Sequence, residues 1–283
     1  MAALPALKGQ RVLVTGAGSG LGRALAQRYA DAGWSVACTD VRAEAAQQTA
    51  ADLTARGVTA IALALDVRSE EAFIAVVDQL QQAWGGIDVL INNAGVATAG
   101  TVADSPLEQW RFVLDINLLG CVRGARAVIP LMKAQRAGRI VNIASFAGIA
   151  NPPALASYNV SKAAVISLSE TLRGELAGDG IGVHVAAPSF FKTDLLNSGR
   201  GELVETTHSS APQMNRIVER LMDKATVKAA DVAGDIFDAV QSGRFLVITH
   251  ADARKQALVK RYAPELFFRS ALKSTAAFLA KRK

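Results

Sequence analysis

The chain has 283 residues, about half of them apolar and few of them aromatic, which is enough to bury a sizeable core and excludes a disordered chain. Its net charge of +6 is uneven: residues 251–283 carry nine Lys/Arg and two Asp/Glu, so the remaining 22 basic and 23 acidic residues leave the body at −1. That balance excludes a nucleic-acid-binding body and assigns the basicity to a tail.

Short apolar runs alternate with amphipathic stretches along the chain. Runs rich in Val, Ile and Ala predict strands at 11–15, 35–40, 60–66, 89–94, 139–145, 182–188 and 244–249. They are apolar almost throughout, the pattern of strands covered on both faces. Helical spacing lies between them at 21–32, 43–56, 69–83, 107–136, 155–178 and 229–242. Strand, helix, strand from the start predicts an α/β chain: a Rossmann-type, doubly wound parallel sheet of about seven strands with helices on both faces. Residues 1–250 are expected to form a single dinucleotide-binding catalytic domain. A lid or substrate segment is placed within 190–228, and 251–283 is a basic amphipathic extension.

The first strand runs into TGAGSGLG (15–22) and then into a helix. Glycines there let the backbone turn sharply and approach a pyrophosphate, and the helix N-terminus offers free N–H groups to phosphates. A tight turn without ligand is the alternative. Asp40 ends the second strand, where a carboxylate can accept hydrogen bonds from an adenosine ribose. It would repel a 2′-phosphate, which favours NAD, although Arg42 close by could tolerate NADP.

Further along, Tyr158 and Lys162 stand four apart in SYNVSK and share a helical face. A free tyrosine titrates near pH 10, and a nearby lysine cation favours its phenolate, as does the positive nicotinamide of an oxidised cofactor. The phenol could then exchange a proton with an alcohol or a carbonyl. Ser145, closing the fifth strand, can hydrogen-bond a substrate oxygen. Each residue alone has an ordinary structural explanation: a solvated Tyr/Lys pair, a strand-end cap, a helical asparagine at 117, a turn at Asn92-Asn93. Their conjunction carries the argument. Cys38 and Cys121 lack CxxC spacing and are read as buried thiols, in keeping with a reducing cytoplasm. His184, His208 and His250 are scattered, so no metal site or histidine triad is expected.

With TGAGSGLG, NNAG (92–95), Ser145 and Tyr158-x-x-x-Lys162 in this order, residues 8–250 resemble the short-chain dehydrogenase/reductase family. The resemblance implies an NAD(P)-dependent oxidoreductase with the catalytic set Asn117, Ser145, Tyr158 and Lys162, Asn117 holding a water that links Lys162 to solvent. It implies cofactor contacts from Gly16, Ser19, Gly20, Leu21 and Gly22, then Asp40, Asp66 and Val67. Further contacts come from Asn93, Ala94 and Gly95, from Tyr158 and Lys162, and from Pro188, Phe191 and Thr193. Substrate is held by Ser145 and Tyr158. One departure stands out: relatives usually read Pro-Gly after the sixth strand, and here PSFFKT places Ser189 and Phe191 where a glycine and a small aliphatic are usual.

The reaction expected is interconversion of a secondary alcohol and a ketone or aldehyde with NAD, or with NADP. AGIANPPALAS (147–157) and the apolar members of 190–228 (Phe190, Phe191, Leu195, Leu196, Met214, Ile217, Val218, Leu221, Met222) suggest an apolar small-molecule substrate. A 3-oxoacyl thioester reductase is the alternative within the class, which Asp40 disfavours, and a non-catalytic nucleotide-binding scaffold or sensor the alternative outside it. The resemblance implies a homodimer or homotetramer through the helices 107–136 and 155–178. In the tail, Phe268, Ala271, Leu272, Thr275, Phe278 and Leu279 share a helical face with basic flanks. That face could meet a membrane surface or cover a pocket. The protein is expected in the cytoplasm, with membrane association as the tail's second option.

Overall fold

The computed structural model describes residues 4–191 and 225–280, with Arg216, Val218, Arg220, Met222 and Asp223 between them, and side chains as far as Lys273. Seven parallel strands form one sheet in the order β3-β2-β1-β4-β5-β6-β7. They are β1 (Arg11–Thr15), β2 (Ser35–Asp40), β3 (Ala60–Ala64), β4 (Val89–Asn92), β5 (Gly138–Ile143), β6 (Ile181–Ala186) and β7 (Leu246–Val247). The order reverses between β1 and β4, which opens a crevice at their carboxyl ends.

Alternation along the strands feeds two cores. Val12, Val14, Val36 and Ile91 face one side, against Leu25 and Tyr29 of α1 (Gly20–Asp31), Leu53 of α2 (Ala43–Thr54) and Ile236 of α8 (Ala229–Gln241). Leu13, Ala37, Leu90 and Ile140 face the other, against Phe73 and Leu80 of α3 (Glu70–Trp84), Met132 of α5 (Gly120–Gln135) and Leu172 of α7 (Ala156–Glu175). Successive side chains of a strand point to opposite faces, so helices on both sides require runs apolar throughout. Two strands depart from expectation. β3 is an edge strand and only half-buried, and β7 shrinks to two residues.

Both ends of the central β1–β4 pair are tied by side chains. At the entry, Arg11 Nε meets Asp88 Oδ2 at 2.6 Å. At the exit, Thr15 Oγ1 accepts from the amides of Asn93 and Ala94, both at 3.0 Å, and Asn93 Nδ2 donates to the Thr15 carbonyl at 2.9 Å.

The helix expected over 107–136 is interrupted. α4 (Leu107–Leu114) passes through a π turn, Asp115–Leu119, before α5 begins. Arg123 reaches back to bond both the carboxylate and the carbonyl of Asp115, at 2.7 and 3.3 Å. A short α6 (Ala147–Ala150) packs on α7. The tail forms two helices within the expected extension, α9 (Ala251–Tyr262) and α10 (Pro264–Ala280), of which only the second contains the residues named for the apolar face. Lys260 of α9 donates to the Ile149 carbonyl of α6, and Ala253 and Phe267 are buried. Among the described residues, no helix is long and apolar enough to cross a membrane.

Candidate active site

A cavity of about 1130 Å³ lies over the carboxyl ends of the strands. Its floor is the turn from β1 to α1, and Gly16, Ser19, Gly20, Leu21 and Gly22 all line it. Gly16 has φ +64°, and a Cβ on Gly22 would stand 2.0 Å from the Gly16 carbonyl oxygen. Only glycine permits this coil, which leaves backbone amides facing a space with no side chain between. That space fits a dinucleotide pyrophosphate.

Asp40 ends β2 as expected and lines the cavity. One carboxylate oxygen accepts from the Gly18 amide at 3.0 Å and the other from the Arg42 amide at 3.0 Å. The Arg42 guanidinium lies 3.5 Å from Asp40 and 3.5 Å from the Ser19 hydroxyl, on the exposed side. Acid and base therefore stand together at this end of the cavity.

Asp66 and Val67 also line the cavity. Arg68 grips Asp66 in a charged pair, with Nη2 to Oδ2 at 2.6 Å, and holds its carboxyl below the usual range. Asn93, Ala94 and Gly95 form the wall above β4. A Cβ on Gly95 would sit 3.1 Å from Asn117 Oδ1 and 3.4 Å from Lys162 Nζ, so this glycine brings three segments together.

Ser145, Tyr158 and Lys162 meet in the same cavity. Lys162 Nζ lies 5.8 Å from the Tyr158 ring centre and donates to the Ile143 carbonyl at 2.8 Å. The Ser145 hydroxyl lies close enough to the Tyr158 phenol to act on its pKa, and its Oγ accepts from the Ala147 amide at 3.1 Å. Burial pushes the Lys162 ammonium down to about 8. Tyr158 moves opposite to expectation. Burial raises its pKa, and the Ser145 hydroxyl opposes this in part. Burial, only partly offset by Ser145, keeps the phenol protonated in the protein alone. Any depression has to come from a positive charge that a ligand brings.

Asn117 is fully buried in the π turn and does not line the cavity. Its Oδ1 accepts from the Val96 amide at 2.8 Å, and its Nδ2 donates to the Val96 carbonyl at 2.9 Å and to Ser161 Oγ at 3.0 Å. Its side-chain donors are thus spent on fixing the segment after NNAG.

Pro188 and Phe191 line the cavity, and Phe191 is also packed into the core with α8. Thr193 lies outside the described residues, as do Leu195, Leu196, Met214, Ile217 and Leu221. Of the expected lid, Phe190, Val218 and Met222 line the cavity, and Val218 and Met222 pack on Tyr158.

One feature had no signal in the sequence. His250, read as one of three scattered histidines, accepts from the Ser189 amide through Nδ1 at 3.3 Å and bonds the Phe190 carbonyl through Nε2 at 3.1 Å. An imidazole satisfies both when Nε2 carries the proton, so His250 pins the PSFF stretch at Ser189, the position where the resemblance leads us to expect glycine. The tail covers the cavity, one of the two options its amphipathic face offered: α9 and α10 build the outer wall through residues such as Lys255, Val259, Phe267 and Ala271. Cys38 and Cys121 are buried, their thiols pushed up to about 12 and about 11.

A family model described as short chain dehydrogenase matches residues 10–203. A 3-oxoacyl-(acyl-carrier-protein) reductase of Synechocystis sp. is 36% identical, over 70% of this chain and 81% of its own length. Sulfoacetaldehyde reductase 2 of Chromohalobacter salexigens is 41% identical, over 65% of this chain and 73% of its own. Among solved structures, a short chain dehydrogenase/reductase from Burkholderia phymatum in complex with NAD superposes with a TM-score of 0.86 at 33% identity, covering 92% of this chain and 95% of that one.

Proposed function

We propose, on the premise that this chain belongs to the short-chain dehydrogenase family and is an oxidoreductase, that it interconverts an apolar secondary alcohol and the matching ketone or aldehyde with NAD. One observation carries the reading. Ser145, Tyr158 and Lys162 converge in the same cavity as the glycine coil of β1–α1. A nicotinamide dinucleotide, when bound, supplies the hydride exchange. The coil takes the pyrophosphate, Asp40 the adenosine ribose and Asp66-Val67 the adenine.

The chain's own residues handle orientation and the proton. Ser145 holds the substrate oxygen beside the phenol. Tyr158 passes a proton to or from that oxygen. Lys162, fixed by the Ile143 carbonyl, lies beside the ring and keeps a positive charge near any phenolate. Asn117 acts at one remove, by holding Val96 and Ser161 in place.

NAD is preferred because the Asp40 carboxylate stands at the ribose end, while Arg42 beside it leaves NADP admissible. The 3-oxoacyl thioester reductase reading is kept as a second, favoured by relatives of that name in Synechocystis sp. and Staphylococcus aureus.

A panel of secondary alcohols, and one short 3-oxoacyl thioester, assayed with NAD and NADP separates the two readings. In that assay Tyr158→Phe should retain cofactor binding and lose roughly 100- to 10,000-fold in turnover. Turnover surviving in Tyr158→Phe would remove the assigned acid/base.

A further inference from the structure

The helix pair α9–α10 has two kinds of surface. Val259, Phe267 and Ala271 turn inward and line the cavity. Leu258 and Tyr262 on α9, with Phe268 and Leu272 on α10, do not line it and are 57%, 77%, 43% and 61% exposed. Each pair is spaced i, i+4, so each helix carries its own outward apolar stripe.

Around the stripes, residues 251–273 contain six basic side chains against Asp252 and Glu265. Lys260 is turned inward, onto the Ile149 carbonyl and within 6 Å of the Phe267 and Phe268 rings. Lys255, Arg261, Arg269 and Lys273 have no ion-pair partner among the described residues. An apolar stripe bordered by free cations suits the interface of an anionic bilayer. A second copy of the chain suits it poorly. A two-fold contact through this face would set its cations against themselves. The body, with 22 basic and 23 acidic residues, offers a net charge of only −1 to receive them.

We propose that α9–α10 docks on the surface of a membrane containing anionic lipid. Leu258, Tyr262, Phe268 and Leu272 enter the headgroup boundary, and Arg261, Arg269 and Lys273 meet the lipid phosphates. The wall of the cavity then rests on the bilayer. Leu266, which lines the cavity and is 64% exposed, stands at the opening on that side. A membrane-partitioned alcohol or ketone would enter there; this last step alone rests on the reading of an apolar substrate.

Vesicle flotation of the full-length chain tests the docking. Cutting at residue 250 would remove the cavity wall, so Leu258→Glu/Leu272→Glu is the variant to use, since neither residue touches the cavity. The wild type should float with phosphatidylcholine vesicles containing about 30% phosphatidylglycerol, and not with phosphatidylcholine alone. Raising salt from about 0.05 to about 0.5 M should weaken binding roughly tenfold or more. The double variant should lose about as much, with turnover of a small soluble alcohol unchanged. Failure to float, equal flotation on neutral vesicles, or a variant that floats like the wild type would each overturn the proposal. So would a variant whose only change is a smaller oligomer by size exclusion. Flotation is read without turnover, so a wrong substrate assignment leaves its outcome intact.

Discussion

Lys162→Met isolates the energetic position of the buried ammonium. The side chain is almost fully buried, 4% exposed, and bonded to one carbonyl. Desolvation brings it from 10.5 to about 8. The unfolded chain holds its proton up to the higher value and the folded chain only to the lower. Between these values the folded state binds fewer protons, so its stability rises with pH. Below about pH 8 the full penalty of roughly 3 kcal/mol is present, and above about 10.5 it is gone. Methionine keeps similar bulk without charge. Urea unfolding of both proteins between about pH 7 and about pH 10 should show the wild type gaining roughly 2 kcal/mol on the variant. The lost bond to Ile143 adds a constant offset and cannot bend the difference curve. Parallel curves would refute the argument, because the ammonium would then carry no burial penalty.

Three further outcomes follow from the cradle and the helices. Asp40→Asn keeps an acceptor for the Gly18 amide and removes the charge, so kcat/KM with NADP relative to NAD should rise about tenfold or more, read by steady-state kinetics. Gly22→Ala, with its Cβ 2.0 Å from a carbonyl oxygen, should cost more than about 3 kcal/mol in urea unfolding. Gly234→Ala, in open space within α8, should instead stabilise by about 1 kcal/mol.

Much of the architecture was legible because strands covered on both faces must be apolar throughout, and all seven runs begin and end within about two residues of the strand they become. The glycine coil was legible because only glycine tolerates its geometry. The Tyr158–Lys162 pair was legible because helical spacing places both on one face. The rest depends on contacts between distant segments. The π turn at Asp115–Leu119 exists because Asn117 bonds Val96 and Arg123 bonds Asp115, and periodicity reports neither. The direction of the Tyr158 shift depends on burial by Val218 and Met222, which the local sequence does not contain. α9 was missed because its face toward the cavity mixes Asp252, Lys255 and Gln256 with Val259, leaving a weak apolar period. His250 gains its partners only when β7 comes alongside β6.

The clamp between β1 and β4 has a bearing on how the protein comes apart. Thr15 and Asn93 are 78 residues apart, and the ties between them hold the floor of the cavity, while Arg11 and Asp88, 77 residues apart, tie the opposite end of the same strand pair. Such pairing waits on loop closure over all of α1, β2, α2, β3 and α3, so the floor belongs to the late, low-probability end of the folding reaction. A ligand seated on it grips contacts absent from early ensembles. It should act as a brake on unfolding and leave the rate of folding nearly untouched.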